Sequence, residues 1–135
     1  MLAFLAELGR PCAEPGEEHR RQAEEILRRA DTEVLIAERD GKAVGLACLL
    51  VLPRLGHPTP EARLLDLVVT EAARGAGAGA TLVAAVTARA GDGGCHLLRL
   101  ECGHQRVEAR RLYERLGFEG RGLDWQLPLP PQILL

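Results

Sequence analysis

The chain lacks any stretch approaching the ~20 consecutive apolar residues that a membrane-spanning helix needs, so its apolar side chains are expected to form a core. It also lacks a concentration of one charge. Acidic and basic residues are mixed along its length and the formal net charge is -2. A nucleic-acid groove needs a basic face, so neither nucleic acid nor membrane is an expected partner. Internal repeats and low-complexity blocks are missing as well. Met1–Leu8 is apolar but short, without a basic leader or a small-residue cleavage site, and the expected compartment is the cytoplasm. The four cysteines (Cys12, Cys48, Cys95, Cys102) show no Cys-x2-4-Cys spacing. Three of them lie in or beside apolar runs, where a reduced thiol behaves as a small apolar group.

What the chain has is the material of one domain. Its 135 residues are 47% hydrophobic and 27% charged, enough to bury a core without disulfides or metals, and positions 1–135 are read as a single domain. Leu2, Leu5 and Leu8 suggest a short helix. Glu17–Ala30 carries Ala23, Ile26, Leu27 and Ala30 at helical spacing, with an acidic start and a basic end that suit the helix dipole. Glu33–Glu38 and Ala43–Leu52 read as strands joined by an Asp40-Gly41 hairpin turn. Pro53–Pro60 is a loop, Arg63–Val69 a third strand and Glu71–Gly79 a second loop. A helix to about Ala90, a strand over His96–Cys102, a helix over Arg106–Leu116 stopped by Gly117, and a last strand over Leu123–Leu129 complete the order. Strand–helix–strand units require parallel pairing, whereas the early hairpin is antiparallel. The expected class is therefore α/β (α+β), with a mixed sheet and helices on its faces.

The most informative stretch runs from the third strand through Arg74-Gly75-Ala76-Gly77-Ala78-Gly79 into the following helix. Residues poor in side chain let a ligand approach the backbone closely. The helix start adds unpaired N–H groups and the positive end of the dipole. Together these suit a phosphate or pyrophosphate, with Arg74 placed to add a charged contact. Gly75, Gly77 and Ala80 fit the G-x-G-x-x-G/A dinucleotide pattern, and Glu101 ends the next strand about where a ribose-binding acid belongs. That pattern should begin directly after its strand, however, and here several residues intervene. No Gly-Lys-Ser/Thr follows, as a nucleoside-triphosphate loop would require.

Val69, four residues, then Arg74-Gly75-Ala76-Gly77-Ala78-Gly79 resembles the R/Q-x-x-G-x-G/A signature of the GNAT superfamily of acetyl-CoA-dependent N-acetyltransferases. Ala109, Leu112, Tyr113, Leu116, Gly117 and Phe118 are similar to that family's last helix, which commonly reads A-x-x-x-Y-x-x-x-G-F. The resemblance spans roughly Arg39 to Leu129. It implies a single-domain, mostly antiparallel sheet with a central splayed parallel strand pair. It implies acetyl-CoA as co-substrate, and a small-molecule or peptide amine as acceptor that attacks directly in a ternary complex. Leu67, Val68 and Val69 would meet the pantetheine arm, and Arg74, Gly75, Ala76, Gly77, Ala78 and Gly79 the pyrophosphate. Tyr113, the only tyrosine, would protonate the leaving thiolate and lie close to the coenzyme. Arg106 stands where many members have Asn, so it implies a coenzyme contact of different chemistry.

The general base is open among Asp66, Glu101 and His104. Family members usually begin with a strand, whereas this chain starts in an expected helix. The implied uncovered sheet edge makes a homodimer an expectation. Cys95, His96, Cys102 and His104 invite a zinc reading, but adjacent strand residues point to opposite faces and two ligands close no site, so no metal is expected. The alternative to an enzyme is a non-catalytic acyl-CoA-binding or regulatory module on the same fold.

Overall fold

A computed structural model describes residues 16–102, 107–122 and 125–130. The expected first helix, Cys12, His104 and Arg106 lie outside the described residues. The chain falls into two compact units, Met1–Leu100 and Glu101–Leu135.

The first unit holds helix α1 (Glu17–Arg28), strands β1 (Thr32–Arg39), β2 (Lys42–Leu52) and β3 (Glu61–Val69), a 3-10 turn (Glu71–Ala73), helix α2 (Ala78–Asp92) and strand β4 (Leu98–Leu100). The sheet order is β1-β2-β3-β4. β1–β2 and β2–β3 are antiparallel and β3–β4 is parallel, the mixed sheet that the strand–helix–strand order calls for. The β1–β2 hairpin closes through Asp40 and Gly41, both at positive φ (52° and 78°). That is the turn whose twist matches the flanking strands.

Strand alternation divides the sheet into two faces. One carries Ala47, Leu49, Ala62 and Leu64, all buried, and α2 packs on it. α2 forms because Ala78, Leu82, Val83, Val86 and Ala90 recur at helical spacing and are buried together. Each of its three larger side chains is worth about 1.5–3 kcal/mol of burial. The opposite face carries an apolar cluster of Leu46 and Val68 with Val34 packed against it.

The second unit contains α3 (Val107–Arg115). It ends as Gly117 signals, with Gly117 at φ 95° and the Phe118 N–H donating to the Tyr113 carbonyl (2.9 Å). Two expectations are corrected. The fourth strand is three residues long instead of spanning His96–Cys102; before it, the His96 N–H and Nδ1 both lie against the Pro60 carbonyl (3.1 and 3.0 Å). The last strand is not formed over its described residues, Trp125–Leu129, which are irregular. Pro128 removes a ladder N–H there, and Pro130 removes the next one on the same edge.

Candidate active site

Two irregularities of β3 shape the candidate site. The first is a bulge. Cys48 pairs with Asp66 but Leu49 pairs with Leu64, so Leu65 is an extra residue. A bulge shifts the following half of a strand to the other face. Asp66 and Val68 therefore lie on the Leu46 and Cys48 face, while Leu67 and Val69 lie on the α2 face. Plain alternation through Leu64 would have turned Asp66 toward α2.

The second irregularity is the early end of the parallel ladder. β4 pairs only with Ala62, Arg63 and Leu64, and Leu65–Val69 continue without a β4 partner among the described residues. The Thr70 N–H donates to the Val44 carbonyl on β2 (2.8 Å). Backbone groups alternate sides along a strand, so Val68 also faces β2, while Leu67 and Val69 offer theirs to the open edge. Of the three residues the family implies there, two face this edge and Val68 does not.

After Val69 the chain makes the 3-10 turn and then the glycine loop. Gly75 and Gly77 have φ of 80° and 89°, left-handed backbone that side-chain-bearing residues rarely adopt. Nothing lies within 4 Å of where a Cβ would sit at either position, so the space above them is open. Gly77 is the N-cap of α2. Ala78 and Gly79 therefore belong to the first helical turn, which starts two residues earlier than the loop expected over Glu71–Gly79 allows. The helix's own bonding begins with the Thr81 N–H donating to the Gly77 carbonyl (3.0 Å). The preceding N–H groups at a helix start have no intrahelical acceptor. Together with the dipole they present a positive concavity.

Two arginines hold this loop. Arg74 Nε donates to the Val69 carbonyl (3.2 Å), which ties the loop to the end of the open edge. Arg39, at the end of β1, donates to the Ala76 carbonyl (3.3 Å). Sequence reasoning missed Arg39; its signal was a cation directly before the hairpin turn, which returns the sheet toward the loop. The 3-10 turn between β3 and Gly75 is also what separates this loop from a dinucleotide fingerprint, which opens directly at the strand's end.

Asp66 is half-buried beside Cys48. Burial, and then the charge of Asp66, push the Cys48 thiol up to about 11, so this cysteine is an un-ionised core residue. Glu101 follows β4 and is exposed. Tyr113 is buried on α3, with its ring edge-on to Phe118 at 5.7 Å between centroids. Its neighbour Ala109 is half-buried while Arg110, Arg111 and Glu114 are exposed, as expected of an amphipathic helix. Among the described residues, no group of three His, Cys, Asp or Glu side chains comes together as a metal site.

Sequence reasoning also passed over Glu61. Its carboxylate is 2% exposed and is ringed by Arg99 (2.9 Å), Arg63 (3.2 Å) and Arg54 (3.4 Å). Burial acts to raise its pKa, but the Arg63 hydrogen bond and the charges of Arg99, Arg54 and Arg63 outweigh it and hold the group below its ordinary value. A carboxylate so stabilised as an anion is a poor proton acceptor.

The acetyltransferase (GNAT) family model matches residues 2–118. The uncharacterized N-acetyltransferase YhfO of Bacillus subtilis (strain 168) is 34% identical over 95 residues, 69% of this chain and 62% of that protein's length. The chain thus spans less than two thirds of that relative. A putative acetyltransferase from Agrobacterium tumefaciens str. C58 superposes with a TM-score of 0.81 at 27% identity, covering 95% of this chain and 93% of its own. A transcriptional regulator from Bacillus halodurans C-125 gives 0.78 at 29% identity, over 92% and 91%. By this match over nearly its whole length, and by a glycine loop that caps a helix beside an open strand edge, the chain belongs to the GNAT acetyltransferase family.

Proposed function

We propose that the chain, as a single domain over 1–135, transfers an acetyl group from acetyl-CoA to a primary amine of a small molecule or peptide. The observation that carries this reading is the pair of left-handed glycines, Gly75 and Gly77, opening onto the α2 N-terminus next to the edge of Leu67 and Val69, which has no β4 partner among the described residues. The space above these glycines is open, which leaves room for a pyrophosphate at the helix N-terminus. The backbone of Arg74–Gly79 would hold that group. The amides and carbonyls of Leu67 and Val69 would receive an amide-bearing arm as a sheet edge receives a strand. By the family resemblance, Arg106 would add a cationic contact.

Bound acetyl-CoA supplies an activated acetyl thioester. The amine attacks it directly, so no enzyme nucleophile is needed. This agrees with a Cys48 thiol held un-ionised at neutral pH. Tyr113 gives its phenol proton to the departing thiolate. Asp66 or Glu101 takes the proton from the incoming ammonium. Asp66 is favoured by the bulge, which sets it on the β3 half that lacks a β4 partner. The protein works in the cytoplasm, where its cysteines stay reduced; no helix among the described residues is long and apolar enough to cross a membrane.

A second reading, a non-catalytic acyl-CoA-binding regulatory module, is favoured by the likeness to the Bacillus halodurans protein named a transcriptional regulator. Calorimetric titration with acetyl-CoA, with NAD as control, tests the shared part of both. One-to-one binding of acetyl-CoA alone is expected. Gly77→Val should abolish it with the circular dichroism spectrum retained, since the side chain fills the cradle. Normal affinity in that variant would refute the cradle. Thiol release in a screen of amines then separates the enzyme from the module, which binds without turnover.

A further inference from the structure

The carbonyl groups around the glycine loop meet donors of different origin. The Val69 carbonyl accepts from Arg74 Nε (3.2 Å), a donor within the loop. The Gly77 carbonyl accepts from the N–H and the Oγ1 of Thr81 (3.0 Å each), donors within the first turns of α2. The Ala76 carbonyl accepts from Arg39 Nη2 (3.3 Å), 37 residues away at the end of β1. That donor comes from the β1–β2 hairpin, and the position it serves is a soft one. The carbonyl belongs to the peptide between Ala76 and Gly77, with Gly77 at φ 89°. Glycine enters positive and negative φ with similar ease, so a peptide followed by glycine can turn over at little cost. This peptide is trans, so its C=O and N–H point to opposite sides. With the carbonyl held toward Arg39, the Gly77 N–H points away from the hairpin. Turned over, the peptide would present a carbonyl oxygen where it now presents an N–H, and a carbonyl oxygen repels an anion.

We propose that Arg39 is a positioning residue for the coenzyme: its bond to the Ala76 carbonyl fixes the Ala76–Gly77 peptide in the orientation in which the Gly77 N–H joins those of Ala78 and Gly79 in facing the pyrophosphate. The inference rests on the acetyl-CoA reading of the site and deepens it. Arg39 acts through the backbone and has no need to touch the ligand. A guanidinium donor suits the task, because a charge-assisted hydrogen bond is stronger than a neutral one. A loop that is correctly oriented in a fraction of the molecules binds with its affinity reduced by that fraction. Once the coenzyme is bound, the competent orientation has been selected and the chemical step proceeds as before. The signature of Arg39 is therefore a change in coenzyme affinity without a change in turnover at saturation.

The test compares Arg39→Ala with Lys42→Ala, which removes the cation opposite Arg39 in the same hairpin. Both positions are exposed, and both variants should keep the wild-type circular dichroism spectrum. In Arg39→Ala, the calorimetric Kd and the KM for acetyl-CoA should rise about tenfold, as for a loop competent in roughly one molecule in ten, with kcat unchanged. Lys42→Ala should match the wild type. S-acetylpantetheine, which lacks the pyrophosphate, should be used equally well by Arg39→Ala and the wild type. In the ligand-free protein, the amide resonances of Gly75, Ala76 and Gly77 should shift or broaden in Arg39→Ala alone, as the freed peptide exchanges between orientations. An unchanged Kd in Arg39→Ala, equal losses in the two variants, or an equal loss toward S-acetylpantetheine would overturn the proposal and leave the functional reading standing. Failure of the wild type to bind acetyl-CoA would overturn both.

Discussion

Tyr113 carries the one phenol of the chain, and its ring is held by burial and by edge contact with Phe118. Tyr113→Phe keeps that ring and removes only the hydroxyl. Coenzyme affinity by calorimetry should be nearly unchanged, while steady-state turnover falls by on the order of 10²-fold, the low end for loss of a general acid. Unchanged turnover would remove Tyr113 from the mechanism. The residue illustrates what one position reveals in isolation. Its helical stripe with Ala109, Leu112 and Leu116 reads equally as core and as site, because an apolar face and a buried acid call for the same spacing. Gly75 and Gly77 were legible for a firmer reason: glycine is the residue that enters left-handed backbone at little cost, so their clustering announced the loop's geometry.

At the scale of elements, Gly45 governs how α2 sits on the sheet. A Cβ there would lie 2.8 Å from Leu82 Cδ1 and 3.2 Å from the Val68 carbonyl. Leu82 therefore approaches the end of β2 closely, and this fixes the helix whose N-terminus forms the cradle. Gly45→Ala should overpack this contact and destabilise the protein by about 1–3 kcal/mol, measured by urea denaturation, and should also weaken acetyl-CoA binding. No loss of stability would mean that the helix shifts freely. The elements themselves were legible wherever pattern and punctuation agreed. The start of α1 and the hairpin turn follow from helical spacing and Asp40-Gly41, and α2 stops within the expected Gly91–Gly94 break. The bulge at Leu65 was not, because Leu64-Leu65-Asp66-Leu67-Val68 contains no glycine or proline to mark it. It exists because β2 and β3 must both present apolar residues to α2.

Across the first unit, Glu61 at the start of β3 ties the preceding 53–60 loop, through Arg54, to β4, through Arg99 38 residues on, with Arg63 of its own strand beside it. Replacing Glu61 with Gln would leave three guanidinium groups facing a neutral amide. Breaking a buried pair costs ~3–5 kcal/mol, and the half-exposed arginines reduce this to roughly 2 kcal/mol. The sign of the pH dependence follows from the lowered pKa in the folded state. The carboxylate's contribution is fully present above the unfolded value of ~4.3 and is lost as pH falls through the lower folded value. Urea midpoints should therefore drop more steeply on acidification below that unfolded value in the wild type than in Glu61→Gln. Parallel profiles would show that the cluster adds nothing to stability.

By itself, the sequence determined the element order between Glu17 and Arg115, the mixed sheet, the glycine loop and the family to which its two motifs belong, because these depend on local backbone preference and short-range periodicity. Only the tertiary structure decided that Asp66 faces Cys48, that Leu67 and Val69 look onto an open edge while Val68 does not, that Arg39 reaches Ala76, and that Glu61 collects three arginines. Each of these depends on strand register or on contacts between residues far apart in the chain. A one-residue change of register moves every later side chain to the other face, and no local pattern in this sequence encodes it.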